Sequence, residues 1–105
     1  MSGFPILVEG SAIDVLVVGG GTVASRKAAV LIEAGARVRV VAPKVSDALR
    51  ALADAGRVVV AERRYARADI GDAHLVIAAT DDRAVNAAVT ADAHAAARLV
   101  NVADM

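Results

Sequence analysis

The chain has 105 residues, enough for one domain in which helices cover a sheet, and if compact it would have a radius of gyration of about 13 Å. Twelve basic and twelve acidic residues cancel, and one Phe and one Tyr offer no stacking platform, so composition argues against nucleic-acid binding. With no cysteine there are no disulfides, thiolate metal ligands or cysteine nucleophiles; no apolar run nears the ~18 residues of a membrane span, and no basic stretch precedes an apolar one at the N-terminus. The expectation is a soluble, cytoplasmic protein without a membrane partner.

Residues Phe4-Pro5-Ile6-Leu7-Val8 form a short apolar segment that Pro5 confines to a sheet edge or a strand start, and Gly10-Ser11 marks a turn. The run Ile13 to Val18 is too short for anything but a buried strand, and it leads straight into three glycines. Gly19, Gly21 and Ala24 fill G-x-G-x-x-G/A, the fingerprint of a dinucleotide-binding turn, with Gly20 between the first two. Gly19 permits the tight turn out of the strand. Gly21 leaves no side chain between the backbone and a pyrophosphate, and Ala24 lets the following helix sit close on the sheet. That helix spans about Thr22 to Ala34, with Thr22 as a candidate N-cap and Val23, Val30, Leu31 and Ala34 facing the sheet. Its N-terminal N–H groups and positive dipole end would meet the phosphates.

After Gly35 the second strand runs from Arg37 to Ala42, and Pro43 closes it. Ser46 opens a second helix with Leu49, Leu52 and Ala53 on its apolar face, and Gly56 ends it. A third strand covers Arg57 to Ala61. Glu62 to Asp72 is a charged connection with Tyr65 as its only large apolar anchor. The fourth strand, about His74 to Ala79, is almost wholly apolar, as a strand covered on both faces should be. A third helix spans about Asp82 to Ala97, and a fifth strand Leu99 to Val102. This alternation predicts an α/β, Rossmann-like doubly wound parallel sheet in the order 3-2-1-4-5, a single domain over 1–105, with its ligand crevice between strands one and four.

Three loops should meet at the carboxyl edge: Gly19 to Val23, Ala42 to Lys44, and Ala79 to Asp82, joined by the tail Asn101 to Asp104. The carboxylate expected at the end of strand two, about 20 residues past the glycines, is missing. Val41, Ala42, Pro43 and Lys44 stand there instead. Lys44 is either a cation for a 2′-phosphate, hence NADP, or a solvated lysine beside a turn; the residues alone place NAD narrowly ahead. Thr80, Asp81 and Asp82 offer a hydroxyl and two carboxylates, with Asp82 equally suited to the start of a helix. Arg26 and Lys27 either counter a phosphate or are surface charges. His74 and His94 lack partners at metal-ligand spacing, so no metal site is expected. Asp104, just past strand five, could take a proton or stabilise the charge left by a departing hydride.

Taken together, Phe4-Pro5-Ile6, Val17-Val18-Gly19-Gly20-Gly21, Val23-Ala24, Arg26-Lys27, Glu33-Ala34-Gly35-Ala36, Val41-Ala42-Pro43, Ala78 to Asp82, Val85-Asn86, Asn101-Val102 and Asp104 resemble a known family. It comprises the N-terminal domain of sirohaem synthase and its single-function relatives, the precorrin-2 dehydrogenases. The resemblance implies NAD-dependent oxidation of precorrin-2 to sirohydrochlorin, with ferrous iron insertion in some members. It maps cofactor contacts to Thr22 and Val23 and to Pro43 and Lys44, explains the missing ribose carboxylate, and puts the family's important aspartate at Asp104. Family members continue past that aspartate into a helical dimerisation region and a small C-terminal part, so the chain is expected to be the cofactor domain, the full-length form a homodimer. The other reading kept open is an NAD-binding sensor or interaction module without catalysis.

Overall fold

A computed structural model describes residues 2–103. Strand β1 (Asp14–Val18) is the centre of a five-stranded parallel sheet, with β2 (Arg37–Ala42) and β3 (Val59–Glu62) on one side and β4 (Leu75–Ala78) and β5 (Leu99–Val102) on the other. The order 3-2-1-4-5 is the one read from the sequence. Because side chains alternate across a strand, β1 feeds two cores at once. Val15 and Val17 enter the layer beneath α1 (Thr22–Glu33) and α2 (Asp47–Asp54), with Ala24, Ala28 and Leu49. Leu16 and Val18 enter the opposite layer beneath α3 (Arg83–Ala95), with Ile70, Val89 and Ala93. All four β1 side chains are essentially inaccessible to water, each stabilising the fold by about 1.5–3 kcal/mol. The Cα radius of gyration is 12.6 Å.

The helix and strand boundaries follow from caps. Ser46 Oγ accepts the Leu49 N–H at 3.2 Å, which starts α2, and Asp82 caps α3 by accepting the N–H groups of Ala84 and Val85 at 2.9 and 3.3 Å. After α2, the Arg57 N–H donates to the Leu52 carbonyl at 2.9 Å, closing the helix end. Residue 57 therefore belongs to that turn, and β3 pairs with β2 only from Arg39↔Val59, two residues later than the sequence suggested. At the end of α3 the same kind of closure puts Ala97 at φ 56°, a left-handed position without a glycine.

Other expectations need correction. On α1 the contact stripe is Ala24 and Ala28, flanked by Val23, Leu31 and Ile32; Ala34 is exposed, as is Val30 at 69%. Val30 lies about 120° round the helix from Ala24, and the two alanines, being small, let the helix axis come close enough to exclude the bulkier residue. Thr22 is not the cap; Gly21 is, with no side chain to supply a bond. Tyr65 is not the only anchor in the β3–β4 connection, because a 3-10 turn at Arg67–Ile70 buries Ile70 and Asp69. Residues 2–9 form no strand, and Phe4 and Leu7 are fully open to solvent. The segment enters the sheet past the far end of α1, where a Cβ on Gly10 would lie 1.9 Å from the Ala34 carbonyl oxygen, so it never runs beside an edge strand.

Candidate functional site

The carboxyl ends of β1, β2 and β4 open into a cleft of about 1060 Å³. Its floor is the glycine turn. Gly19, at φ 137°, donates its N–H to the Val41 carbonyl at 3.0 Å, and a Cβ there would sit 2.3 Å from the Ala79 carbonyl oxygen. The turn is thus wedged between the ends of β2 and β4, which only a glycine permits. Gly20, a variable position of the fingerprint, is equally confined: its Cβ would meet the Lys44 carbonyl oxygen at 1.9 Å, and its own carbonyl accepts the Ser46 N–H at 2.7 Å. Around Gly21 the space is open. No atom lies within 4 Å of where its Cβ would be.

A chain of hydroxyls ties this turn to the loop after β2. Ser25 Oγ donates to the Gly21 carbonyl at 2.8 Å and lies 2.7 Å from Ser46 Oγ, which also accepts the Leu49 N–H. Each hydroxyl has one proton, so Ser46 must donate to Ser25, and the network is satisfied in one direction only. The loop's carbonyls are consumed inward. At the N-terminus of α1, by contrast, no side chain caps the first N–H groups, which α2 and α3 do have satisfied. Those N–H groups and the helix dipole are what the turn presents to a ligand phosphate.

The third wall is the β4–α3 loop. The Thr80 N–H and hydroxyl both donate to Asn86 Oδ1, at 3.2 and 2.7 Å, while Asn86 Nδ2 donates back to the Thr80 carbonyl at 3.0 Å. Thr80 Oγ1 also accepts the Asp82 N–H at 3.1 Å. Its hydroxyl is spent on holding the loop, and Asp82 is spent as a helix cap. Asp81 is exposed, and its carboxylate has no hydrogen bond or ion pair among the described residues. The structure therefore brings Gly19 to Val23, Pro43, Lys44, Thr80 and Asp81 to one cleft.

Sequence reasoning missed Ser46, Arg64, Tyr65 and Val85 as lining residues. Tyr65 was visible as the only tyrosine, but not its partner: its hydroxyl donates to Asp92 of α3 at 2.8 Å, and burial, reinforced by that carboxylate, pushes the phenol far above its ordinary range. Arg64 is displayed by a clamp one residue earlier. Arg63 makes two bonds to the buried Asp69, at 2.8 and 2.5 Å, and this guanidinium, opposed in part by burial, holds the Asp69 carboxyl below its usual value. Arg26 and Lys27 are exposed and stand outside the cleft. His74 accepts the Asp14 N–H through Nδ1 at 2.9 Å, at the opposite edge of the sheet. A second groove of about 920 Å³, between α3 and β5, meets the cleft at Thr80 and Asp81 and includes His94, Val102 and Ala103. Asp104 lies outside the described residues. Among those described, no group of three His, Asp, Glu or Cys residues could hold a metal, and no helix is long and apolar enough to cross a membrane.

A parallel sheet in this order, with a glycine turn leading from its central strand to an uncapped helix at the switch point, defines a Rossmann-like dinucleotide-binding domain. Comparison with known proteins agrees: a family model described as "Putative NAD(P)-binding" matches residues 6–105, and the chain belongs to that NAD(P)-binding family. It is 56% identical over 90 residues to "Siroheme synthase" of Pseudomonas putida (strain W619), covering 86% of this chain and 19% of that protein. With "Siroheme synthase" of Saccharophagus degradans the identity is 46% over 104 residues, covering 99% and 23%. The solved structure "SirC, precorrin-2 dehydrogenase" superposes with a TM-score of 0.83 at 32% identity, over 95% of this chain and 49% of that one. The resemblance read from the motifs is borne out. The chain spans about a fifth of the curated relatives' length and about half that of the solved neighbour.

Proposed function

We propose that this chain is the NAD-binding domain of a precorrin-2 dehydrogenase, serving the oxidation of precorrin-2 to sirohydrochlorin in sirohaem synthesis. The observation that carries the reading is the open space at Gly21 beside the uncapped start of α1, into which any side chain at that position would project. NAD fits those residues, and when bound it supplies the hydride acceptor. The N–H groups of Thr22 and Val23 would hold its pyrophosphate, with Gly19 and Gly20 fixing the turn beneath. Pro43 and Lys44 border the adenosine end, where backbone groups replace the missing ribose carboxylate. Thr80, locked by Asn86, and the exposed Asp81 beside it form the opposite wall.

Besides the hydride, oxidation of the substrate would release a ring proton, which needs a base. Asp104 is assigned that base: its carboxylate takes the ring proton and offsets the positive charge left as the hydride departs. Enclosure of the tetrapyrrole, the homodimer contacts and any ferrous iron insertion are assigned to a full-length form. The reading is tested by calorimetric titration with NAD followed by a turnover assay with precorrin-2, monitoring NADH absorbance, in a full-length form. Asp104→Ala should abolish turnover while NAD affinity stays within about threefold, or ~0.7 kcal/mol. Saturable NAD binding with no turnover in the unsubstituted full-length protein would favour a sensor or interaction module instead, and no binding of NAD would sink both.

A further inference from the structure

We infer that residues Phe4 to Val8 of one copy add to β5 of a second copy as an outer antiparallel strand, and that two copies exchange these arms reciprocally. The contact lies within the domain itself, apart from the dimer contacts assigned to a full-length form, and it does not depend on NAD binding. Phe4, Ile6, Leu7 and Val8 are 86, 57, 102 and 44% exposed, and the backbone of residues 4–8 makes no hydrogen bond among the described residues. The arm leaves its own domain at Gly10, against Ala34 at the end of α1, and the Ser11 carbonyl accepts from the Arg37 guanidinium of β2 at 3.0 Å. That exit is on the β2 side of β1, whereas β4 and β5 lie on the other. The two inner strands thus separate the arm from its own β5, and nothing separates it from the β5 of another copy.

The receiving edge is open. The Leu99 and Ala103 N–H groups donate inward, to the carbonyls of His74 and Ala78 at 3.3 and 2.9 Å, so by alternation the N–H and C=O groups of Val100 and Val102 point out of the sheet. No charge or proline guards this strand. On the opposite edge, β3, Glu62 is paired with Arg50 and the Ala61 carbonyl accepts the Arg63 N–H at 3.1 Å. Antiparallel addition aims the backbone groups of Phe4, Ile6 and Val8 at those of Val100 and Val102, and leaves Pro5, which has no N–H to donate, pointing outward. The same register sends the Phe4, Ile6 and Val8 side chains to the α3 face, where Val100 packs. There the groove of about 920 Å³ is lined by the small residues Ala87, Ala91 and Ala103 beside Val102, leaving room for large ones. Leu7 falls on the other face, beside Leu99, itself 56% exposed. Each arm offers about 300 Å² of exposed apolar side chain. Two arms and equal areas of receiving edge come to about 1,200 Å², the lower end of specific interfaces; one arm alone gives half of that, so the exchange is reciprocal.

The experiment is sedimentation equilibrium on the whole chain over a range of concentrations, with amide hydrogen exchange read at Val100 and Val102. The mass should be that of two copies at about 100 µM and fall toward one on dilution, and exchange at those two N–H groups should slow as the dimer forms. Phe4→Asp/Leu7→Asp alters only exposed arm residues, so it keeps the fold and should weaken association by more than about tenfold. Leu99→Lys/Val102→Lys, checked by melting curves, should do the same from the receiving side. Mixed together, the two variants should associate more tightly than either does with itself, because one intact arm then meets one intact edge. A single-copy mass up to about 500 µM overturns the inference. So does undiminished association of the arm variant, which would mean edge-to-edge pairing, or of the folded edge variant, which would mean arm-to-arm contact. Slow exchange at Val100 and Val102 in the monomer would place the arm on its own β5 and overturn it too. None of these outcomes bears on whether NAD binds.

Discussion

Two adjacent glycines in one turn should respond to the same substitution in opposite ways. In Gly20→Ala the new methyl would lie 1.9 Å from the Lys44 carbonyl oxygen, and the loop after β2 must retreat by about 1.5 Å to reach an ordinary contact. That retreat breaks the 2.7 Å bond from Ser46 N–H to the Gly20 carbonyl. Overpacking costs about 1–3 kcal/mol and the lost hydrogen bond about 1 more, so the variant should be ~2–4 kcal/mol less stable. For a domain of this size the melting temperature should fall by roughly 10–25 °C. In Gly21→Ala the methyl meets nothing within 4 Å, and φ −94° suits any residue. Its stability cost is the loss of a glycine cap, about 1 kcal/mol at most, yet the methyl occupies the phosphate cradle, and NAD should bind more than about tenfold more weakly. Thermal melts and calorimetric titration of both variants separate the two effects. The reasoning fails if Gly20→Ala melts with the parent protein, or if Gly21→Ala binds NAD normally.

Two further outcomes concern stability. Ala97 sits at φ 56°, where an L-residue is strained by about 1–2 kcal/mol; Ala97→Gly should relieve it, and after the added chain entropy of glycine the net gain in urea unfolding should be up to ~1 kcal/mol. Asp69 has its carboxyl held below the ordinary range by Arg63, so its contribution is fully present above the usual carboxylate value of 3.8 and disappears as pH falls through the lowered one. Asp69→Asn should flatten the acid side of a stability-against-pH curve while lowering stability at neutral pH, and an unchanged acid limb would refute the clamp.

Much of this was legible because local chemistry and global fold agree. The valine run of β1, the glycines after it and the Ser46 and Asp82 caps each announce themselves within a few residues, so the strand order and three of the cleft's walls could be placed in advance. What escaped was long-range. Gly20 looks like a filler between two fingerprint glycines, and only the approach of the Lys44 carbonyl gives it a role. Arg63 and Arg64 look alike in a charged run, yet Asp69 takes one and leaves the other at the cleft. On α1 hydrophobicity pointed to Val30, while close packing chose Ala24 and Ala28. Where the deciding contact comes from a distant segment, side-chain type alone does not reveal it.

The serine pair linking the glycine turn to the start of α2 has a thermodynamic consequence. With the carbonyls of Gly20 and Gly21 engaged by Ser46 and Ser25, the two loops form one rigid rim, and the N–H groups left over already face the cleft. A ligand phosphate meets a receptor preorganised for it, and association loses little backbone entropy. Ser25→Ala would leave every N–H group in place, and the Ser46 N–H bond to Gly20, yet remove the hydroxyl tie between the rim and α2, so its signature belongs in the entropy of binding rather than in the list of contacts.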